Sequence, residues 1–451
     1  MAVGLHSQSS ATVPLETPRA PQQRPDILLV TIDALRADHL SSRGYGRLTT
    51  PAIDAFARRT TQFTSAISQA PYTKASMASL MTGLYPSTHQ AVTATVPFPE
   101  TMTGHVTSHA IATDVLPSSA TTLAEALHAA GYRTIGFTAN PFLIADFGFA
   151  QGFDRFRFYP GPDFARAENL VADLIDEARS NHTDRPLFAW IHLMEPHSPY
   201  TPPPLTAGMF QPTGPPEPIE QQTSIPFWLL PGSPRDRRAY VAAYDDDIAA
   251  VDAAFDTLIR GFRAVRQLRE NVVVVTADHG EQFLDHGGWE HGSNLYDELV
   301  RVPLVILAPD TTAAVVDAQV ETIDLFSTLL ELANADIPDN PGRSLNALLH
   351  GKGAGRGALS EIPGSQYSLR QDGFKLIEFN DGRCQLFDLS ADRFEQHDVS
   401  SANSTRVARM RAALNARLNE AIEMRHRVRG ESAPVDPAIA ERLRALGYTH
   451  R

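Results

Sequence analysis

Asp26-Ile-Leu-Leu-Val-Thr-Ile-Asp33 is a near-continuous apolar run that ends on an acid. Such a run suits a strand buried on both faces, and strands of that kind sit in parallel sheets covered by helices. A second run, Val272-Val-Val-Val-Thr276, leads into Ala277-Asp278-His279 in the same manner. Helical signals fall around these strands. Thr50 as N-cap and Pro51 at the first position open a helix running through Ala52–Arg59. Another helix starts near Thr73, carries Met77, Leu80 and Met81 on one face, and stops before Gly83. Thr121 or Thr122 caps Leu123–Ala130, Gly131 ends it, and Thr134–Thr138 is a strand. Pro186–Met194 and Val302–Ala308 predict further strands, and residues 236–263 a helix. The alternation predicts an α/β fold, a doubly wound, mostly parallel sheet between helices, over residues 26–345.

Beyond residue 345 the pattern changes. Phe374–Phe379, the turn Asn380-Asp381-Gly382 and Gln385–Leu389 predict a β-hairpin. A basic amphipathic helix follows at roughly 404–426, so residues 346–451 are expected to form a small C-terminal α+β subdomain. Residues 1–25 read as a flexible polar segment without the apolar core of a signal peptide. The Thr-rich stretch 90–118 and the Pro-rich stretch 196–235 read as long loops.

Bulk properties exclude several classes. A net charge of −13 argues against a surface built to grip nucleic acid, though a metal or a few cations can reverse the field inside a pocket. Cys384 is the only cysteine, so no intramolecular disulfide and no cysteine-rich metal cluster can form. No apolar run reaches the length of a membrane span. Oligomeric state is not legible.

The chemistry concentrates where ligands of open α/β sheets collect, outside the carboxyl ends of the strands. Asp33 and Asp278 stand at two such ends, and His279 follows directly. Two carboxylates and an imidazole make a site for a hard or borderline divalent metal. Thr73 stands at a helix start, where a hydroxyl can serve as N-cap or, beside unpaired N–H groups and a cation, as a nucleophile. Lys74 could neutralise an ester oxygen. His197, just past a strand end, and His291, closing Asp278-His-Gly-Glu-Gln-Phe-Leu-Asp-His-Gly-Gly-Trp-Glu-His291, could protonate a leaving group, hold a substrate oxygen or bind a second metal. The run Asp245-Asp246-Asp247 reads as a solvated helix face, and His105 and His109 have no identifiable partners.

These residues belong to longer motifs. VTIDALRADHL, TTPAIDAFA, SQAPYT and SMASLMTGLYPSTH occur in order between Asp26 and His89. LPSSATTLAEALHAAGYRTIGFTAN, GFAQGFD, TADHGE, LYDELVRVPLVI, ETIDLFSTLLELA and the terminal LRALGY continue the series. Together they resemble the sulfatase family of the alkaline phosphatase superfamily over nearly the whole chain after residue 25. Typical sulfatases carry Cys or Ser in a C/S-x-P-S-R pattern, converted to formylglycine; the counterpart here is Thr73-Lys74-Ala75-Ser76-Met77. Threonine carries a methyl on Cβ and cannot give that aldehyde. The second of two adjacent acids usual at the first strand end is replaced by Ala34.

The remaining set, Asp33, Thr73, Asp278 and His279, resembles the single-metal site of the phosphoryl-transferring branch, which includes lipoteichoic acid synthases and phosphoethanolamine transferases. The resemblance implies one divalent ion (Mn, Zn or Ca) on these four residues and room for a second metal at His197 and His291. It implies attack by Thr73 on a small anionic ester, with Lys74 and the histidines assisting. The sequence reading therefore expects a hydrolase, or a transferase, of phosphate mono- or diesters, with sulfate ester hydrolysis as the alternative and a catalytically silent binding protein as a third. Relatives of this kind are mostly exported, which favours a place outside the cytoplasm.

Overall fold

The computed structural model describes residues 24–92, 112–160, 166–180, 185–219, 235–266 and 271–445. The first 23 residues, the stretch 93–111 with His105 and His109, and the stretch 220–234 lie outside them.

The strands are β1 (Ile27–Ile32), β2 (Thr61–Ile67), β3 (Ala112–Val115), β4 (Arg133–Thr138), β5 (Arg155–Phe158) and β6 (Leu187–Leu193). They continue with β7 (Val272–Ala277), β8 (Gln282–Phe283), β9 (Trp289–Glu290), β10 (Arg301–Leu307), β11 (Ala314–Val316) and β12 (Val320–Glu321). The last five are β13 (Ala358–Ile362), β14 (Gln366–Gln371), β15 (Phe374–Phe379), β16 (Cys384–Asp388) and β17 (Glu431–Pro434). The helices are α1 (Pro51–Ala57), α2 (Thr73–Thr82), α3 (Pro86–His89), α4 (Leu123–Ala129), α5 (Ala167–Ser180) and α6 (Arg237–Arg266). They end with α7 (Asp297–Val300), α8 (Asp324–Leu332), α9 (Asn346–Leu349), α10 (Ser404–Met424) and α11 (Pro437–Ala445).

The main sheet runs β11-β2-β10-β7-β1-β6-β4-β5, with β12 beside β2. Its half from β7 to β5 is parallel, as the apolar runs require, and β1, β4, β6 and β7 are buried along their whole length. The expected mostly parallel sheet holds, since β11 and β12 also pair parallel to β2, with one reversed strand, β10, in between. β10 is antiparallel to β7, and β2, a strand that periodicity did not reveal, is antiparallel to β10. A four-stranded antiparallel sheet, β13-β14-β15-β16, forms the core of the smaller unit with α10 against it, confirming the hairpin and helix.

Three readings are corrected. Residues 112–115, within the stretch taken as a loop, form β3 and pair with β17 from the far end of the chain, because each is too short to stand alone. Asp245, Asp246 and Asp247 are buried, not solvated. Asp245 binds His39, Tyr45 and Arg47, and Asp246 accepts from the Gly208 and Phe210 amides. The start of α2 is the third. Tyr72, not Thr73, is its N-cap, and no side chain caps it.

Candidate active site

β1 and β7 are parallel neighbours with Ile32 opposite Ala277, so Asp33 and Asp278 leave the sheet side by side at its carboxyl edge. β6 lies on the other flank of β1 and β4 beyond it, which brings His192 and Asn140 to the same edge. The α2 start is fixed against them. Ser76 Oγ donates to the Asp278 carbonyl at 2.6 Å and pairs with Ser68 Oγ at 2.8 Å. Gly280 is needed for the next turn: a Cβ there would stand 1.9 Å from the Glu298 carbonyl.

The two carboxylates are each half satisfied. Asp278 Oδ1 accepts from the amides of Ala34 at 3.1 Å and His279 at 2.8 Å. Asp33 Oδ2 accepts from Asn140 Nδ2 at 2.6 Å and faces His192 Nε2 at 3.1 Å. The other two oxygens, Asp33 Oδ1 and Asp278 Oδ2, are buried and have no hydrogen-bond partner. His279 Nε2 lies 3.6 Å from the first and 3.5 Å from the second. Because His279 Nδ1 donates to the Gly280 carbonyl at 2.8 Å, that Nε2 presents a lone pair. Thr73 Oγ1 completes the cluster, 3.2 Å from His279 Nε2 and 3.4 Å from Asn140 Nδ2.

Electron-pair donors thus converge on one dry point, an arrangement that burial penalises unless a cation neutralises it. The donor set fits a divalent metal held by Asp33, Asp278 and His279, with Thr73 Oγ1 in reach. Asp33, His192 and Asp278 also form a compact group with ligand atoms within 4.8 Å of one another. The hydrogen bonds place His192 behind the site instead. Thr31 Oγ1 accepts from Trp190 Nε1 at 3.0 Å and lies 2.8 Å from His192 Nδ1, closer than the Ile191 carbonyl at 3.4 Å. The tautomer assigned from this network protonates Nε2, which then donates to Asp33 Oδ2 and has no lone pair for a metal.

Electrostatics agree with this division. Burial pushes the Asp278 carboxyl up, and the neighbouring Asp33 charge adds to it. Burial also acts to raise Asp33, but His197, His192 and His279 outweigh it and hold that carboxyl below the usual range. Burial takes His279 down to about 4, which keeps its imidazole neutral and able to ligate.

The other proposed residues gather alongside, with one exception. His291 packs on His279 with ring centroids 4.3 Å apart and meets His197 edge-on at 4.9 Å. Its Nδ1 is 3.0 Å from Glu281 Oε1, and Glu281 Oε2 accepts from Tyr200 at 3.1 Å. Burial pushes Glu281 up to about 8. Lys74 is the exception. Its Nζ donates to Thr113 Oγ1 at 2.5 Å and to the Asp114 carbonyl at 3.0 Å, and lies 5.4 Å from the ring centroids of Phe142 and Phe147. The ammonium is committed to β3 instead of standing ready for an ester oxygen.

Sequence reasoning passed over Asn140 and His192. Asn140 closes GFTAN at the end of β4, so the strand-end rule that selected Asp33 and Asp278 would have selected it too. His192 sits inside an apolar strand and gives no comparable signal.

Residues 25–335 match the family model described as Sulfatase, and residues 285–424 match that of N-sulphoglucosamine sulphohydrolase, C-terminal. Among curated proteins, arylsulfatase K of Mus musculus is 31% identical over 172 residues, 34% of this chain and 31% of that protein. The match thus spans about a third of that relative's length. An ulvan-active sulfatase of Formosa agariphila is 24% identical, covering 88% of this chain and 81% of that one. Among solved structures, the phosphonate monoester hydrolase of Silicibacter pomeroyi superposes with a TM-score of 0.70 at 23% identity, covering 88% of this chain and 96% of that one. A structure described as BT4656 in complex with its substrate D-glucosamine-2-N,6-O-disulfate gives 0.71 at 20% identity, covering 89% and 98%. At these identities the superpositions speak for the fold alone.

Proposed function

This chain belongs to the sulfatase family, and from that premise we propose that it hydrolyses small anionic esters with Thr73 as the attacking group. Sulfate esters are the first substrate class to expect, since the curated relatives named above are sulfatases. One observation carries the role of Thr73. Its hydroxyl is free of helix capping and is held between Asn140 Nδ2 and His279 Nε2, beside two orphaned carboxylate oxygens.

Asp33, Asp278 and His279 would hold one divalent ion, whose charge lowers the pKa of a nearby hydroxyl and offsets charge on the ester oxygens. The rest falls to the protein's own groups. Asn140 donates to Thr73 Oγ1 and steadies it as its proton passes to solvent before the ester binds. The Thr73 oxygen attacks sulfur or phosphorus in line with the ester oxygen. His197 or His291 delivers a proton to that leaving oxygen, which departs as the alcohol. Water then attacks the sulfated or phosphorylated threonine at the same central atom, releasing the inorganic anion and restoring the hydroxyl. The buried wall around His279 excludes bulk water from the first displacement.

A second reading, phosphate or phosphonate esters, has its own support. Thr73 cannot become an aldehyde, so its ester must be cleared by direct attack at the central atom, a step familiar for phosphoryl groups. Hydrolysis of p-nitrophenyl sulfate, p-nitrophenyl phosphate and a p-nitrophenyl phosphodiester, each with Mn²⁺, Zn²⁺, Ca²⁺ or chelator, separates the readings. Turnover of the sulfate that disappears in Thr73→Ala supports the first, and preference for a phosphoester supports the second. Activity untouched by Thr73→Ala would remove Thr73 from the mechanism. Absence of turnover together with absence of bound metal would favour a binding protein.

A further inference from the structure

The active site occupies the carboxyl edge of the parallel strands, and a second concavity lies at the opposite edge. β10 runs antiparallel to β7, so its end at Leu307 lies beside Val273, near the start of β7. β2 begins there too, with Thr61 opposite Ile306. Between these strand ends, the end of α1 and the later turns of α6 is a cleft of about 460 Å³, within the size range of small-molecule sites. Asp278 lies a full β7 strand away, about 20 Å at strand rise.

The lining of this cleft has two chemistries. Its floor is apolar: Phe255 is buried, and half-buried Phe56 meets it edge-on with centroids 5.5 Å apart at 78°, beside Ile259. Its rim carries Arg59, Arg260 and Arg263 against Asp256 and Asp310. Arg260 is engaged by Asp256 at 2.7 Å. Arg59 and Arg263 make no ion pair and no side-chain hydrogen bond among the described residues. The cleft thus joins two exposed guanidiniums with no counter-charge of their own to a paired aromatic floor. Guanidinium forks select carboxylate, sulfate or phosphate oxygens, and the phenyl rings select an apolar body.

We propose that this cleft is a second binding site, separate from the active site, for an amphipathic organic monoanion. The apolar body would rest on Phe56, Phe255 and Ile259, and the acidic group would lie between Arg59 and Arg263. An inorganic anion would leave the floor unused, and an uncharged hydrocarbon would leave both arginines unpaired.

Isothermal titration of the full chain with 2-naphthalenesulfonate, which has no ester bond to hydrolyse, tests this. Inorganic sulfate serves as the probe without a body and 2-naphthalenemethanol as the probe without a charge. The expected result is a single saturable site for the sulfonate, weakened about tenfold or more in Arg59→Gln/Arg263→Gln and by either control probe. It should be unchanged in Asp33→Asn, and the double variant should keep wild-type melting temperature and wild-type ester hydrolysis. Equal affinity in wild type and double variant would overturn the proposal. So would loss of binding in Asp33→Asn, which would place the sulfonate in the active site, or equal binding of inorganic sulfate, which would leave the floor without a role. Absence of saturable sulfonate binding to the wild type also overturns it. None of these outcomes depends on whether Thr73 is the nucleophile.

Discussion

At the junction of the two sheets, Glu321 is buried beneath two arginines. Its oxygens receive Tyr85 at 3.0 and 3.1 Å, Arg417 at 3.1 and 2.8 Å, Arg356 at 2.8 Å and the Leu359 amide at 2.8 Å. At the carboxyl edge of the parallel strands, Asp33 and Asp278 are equally buried, yet each keeps one oxygen without a partner. The first cluster is saturated by donors of the same chain and ties α10 and β13 to the main sheet. The second lacks donors at one shared point, and only a group from outside can supply what is missing. Saturation marks architecture; an aligned deficit of donors marks a place where a ligand belongs.

The sharpest way to break this contrast is to remove the hydroxyl that faces the deficit. Thr73→Ala is expected to lower kcat by about 10³-fold or more while leaving the melting temperature near that of wild type. A kcat within tenfold of wild type would end the case for covalent attack.

Glu321→Ala should show the reverse, costing roughly 3 kcal/mol of stability because the buried Tyr85 hydroxyl and the half-buried Arg417 lose their acceptor, while Arg356 keeps Asp324. Asp278→Asn in metal-free protein is expected to cost nothing measurable, since it removes a buried charge that repels Asp33. Urea denaturation of both variants checks the pair, and equal losses would mean that the active-site cluster is structural as well.

Addition of metal sharpens the same point. A divalent ion at 100 times its Kd should stabilise the wild type by about 2.7 kcal/mol, and Asp33→Asn far less. Differential scanning fluorimetry with and without chelator reads this directly, and an unmoved wild-type transition for Mn²⁺, Zn²⁺ and Ca²⁺ alike would count against the metal site. The smallest effect is reserved for Asn140→Ala. Through Asp33 and Thr73 it should lower metal affinity or kcat by roughly 10- to 100-fold, and metal titration beside kinetics tells which.

Much of this was legible beforehand, for reasons that differ by residue. Strands buried on both faces announce themselves by composition, so β1 and β7 and the acids that end them could be read directly. β2 escaped because Thr61-Gln-Phe-Thr-Ser-Ala-Ile67 carries too few apolar residues for a central strand; its neighbours, not its own pattern, bury it. Asp245–Asp247 misled because a run of acids on a helix usually faces water, and here His39, Arg47 and two loop amides come to meet it. Lys74 misled by proximity, since adjacency to Thr73 in sequence points its side chain to a different face of α2. The helix start at Thr73 was legible, but the capping option given to Thr73 is one that the backbone does not use.

β3 holds the ammonium of Lys74, and its strand partner is β17, some three hundred residues further along the chain. During synthesis on a ribosome, the helix that bears Thr73 emerges early, yet the ribbon that anchors the next residue cannot close until Glu431–Pro434 has left the exit tunnel. The anchor beside the start of α2 is therefore finished last, and a product truncated before β17 would leave β3 without its strand partner.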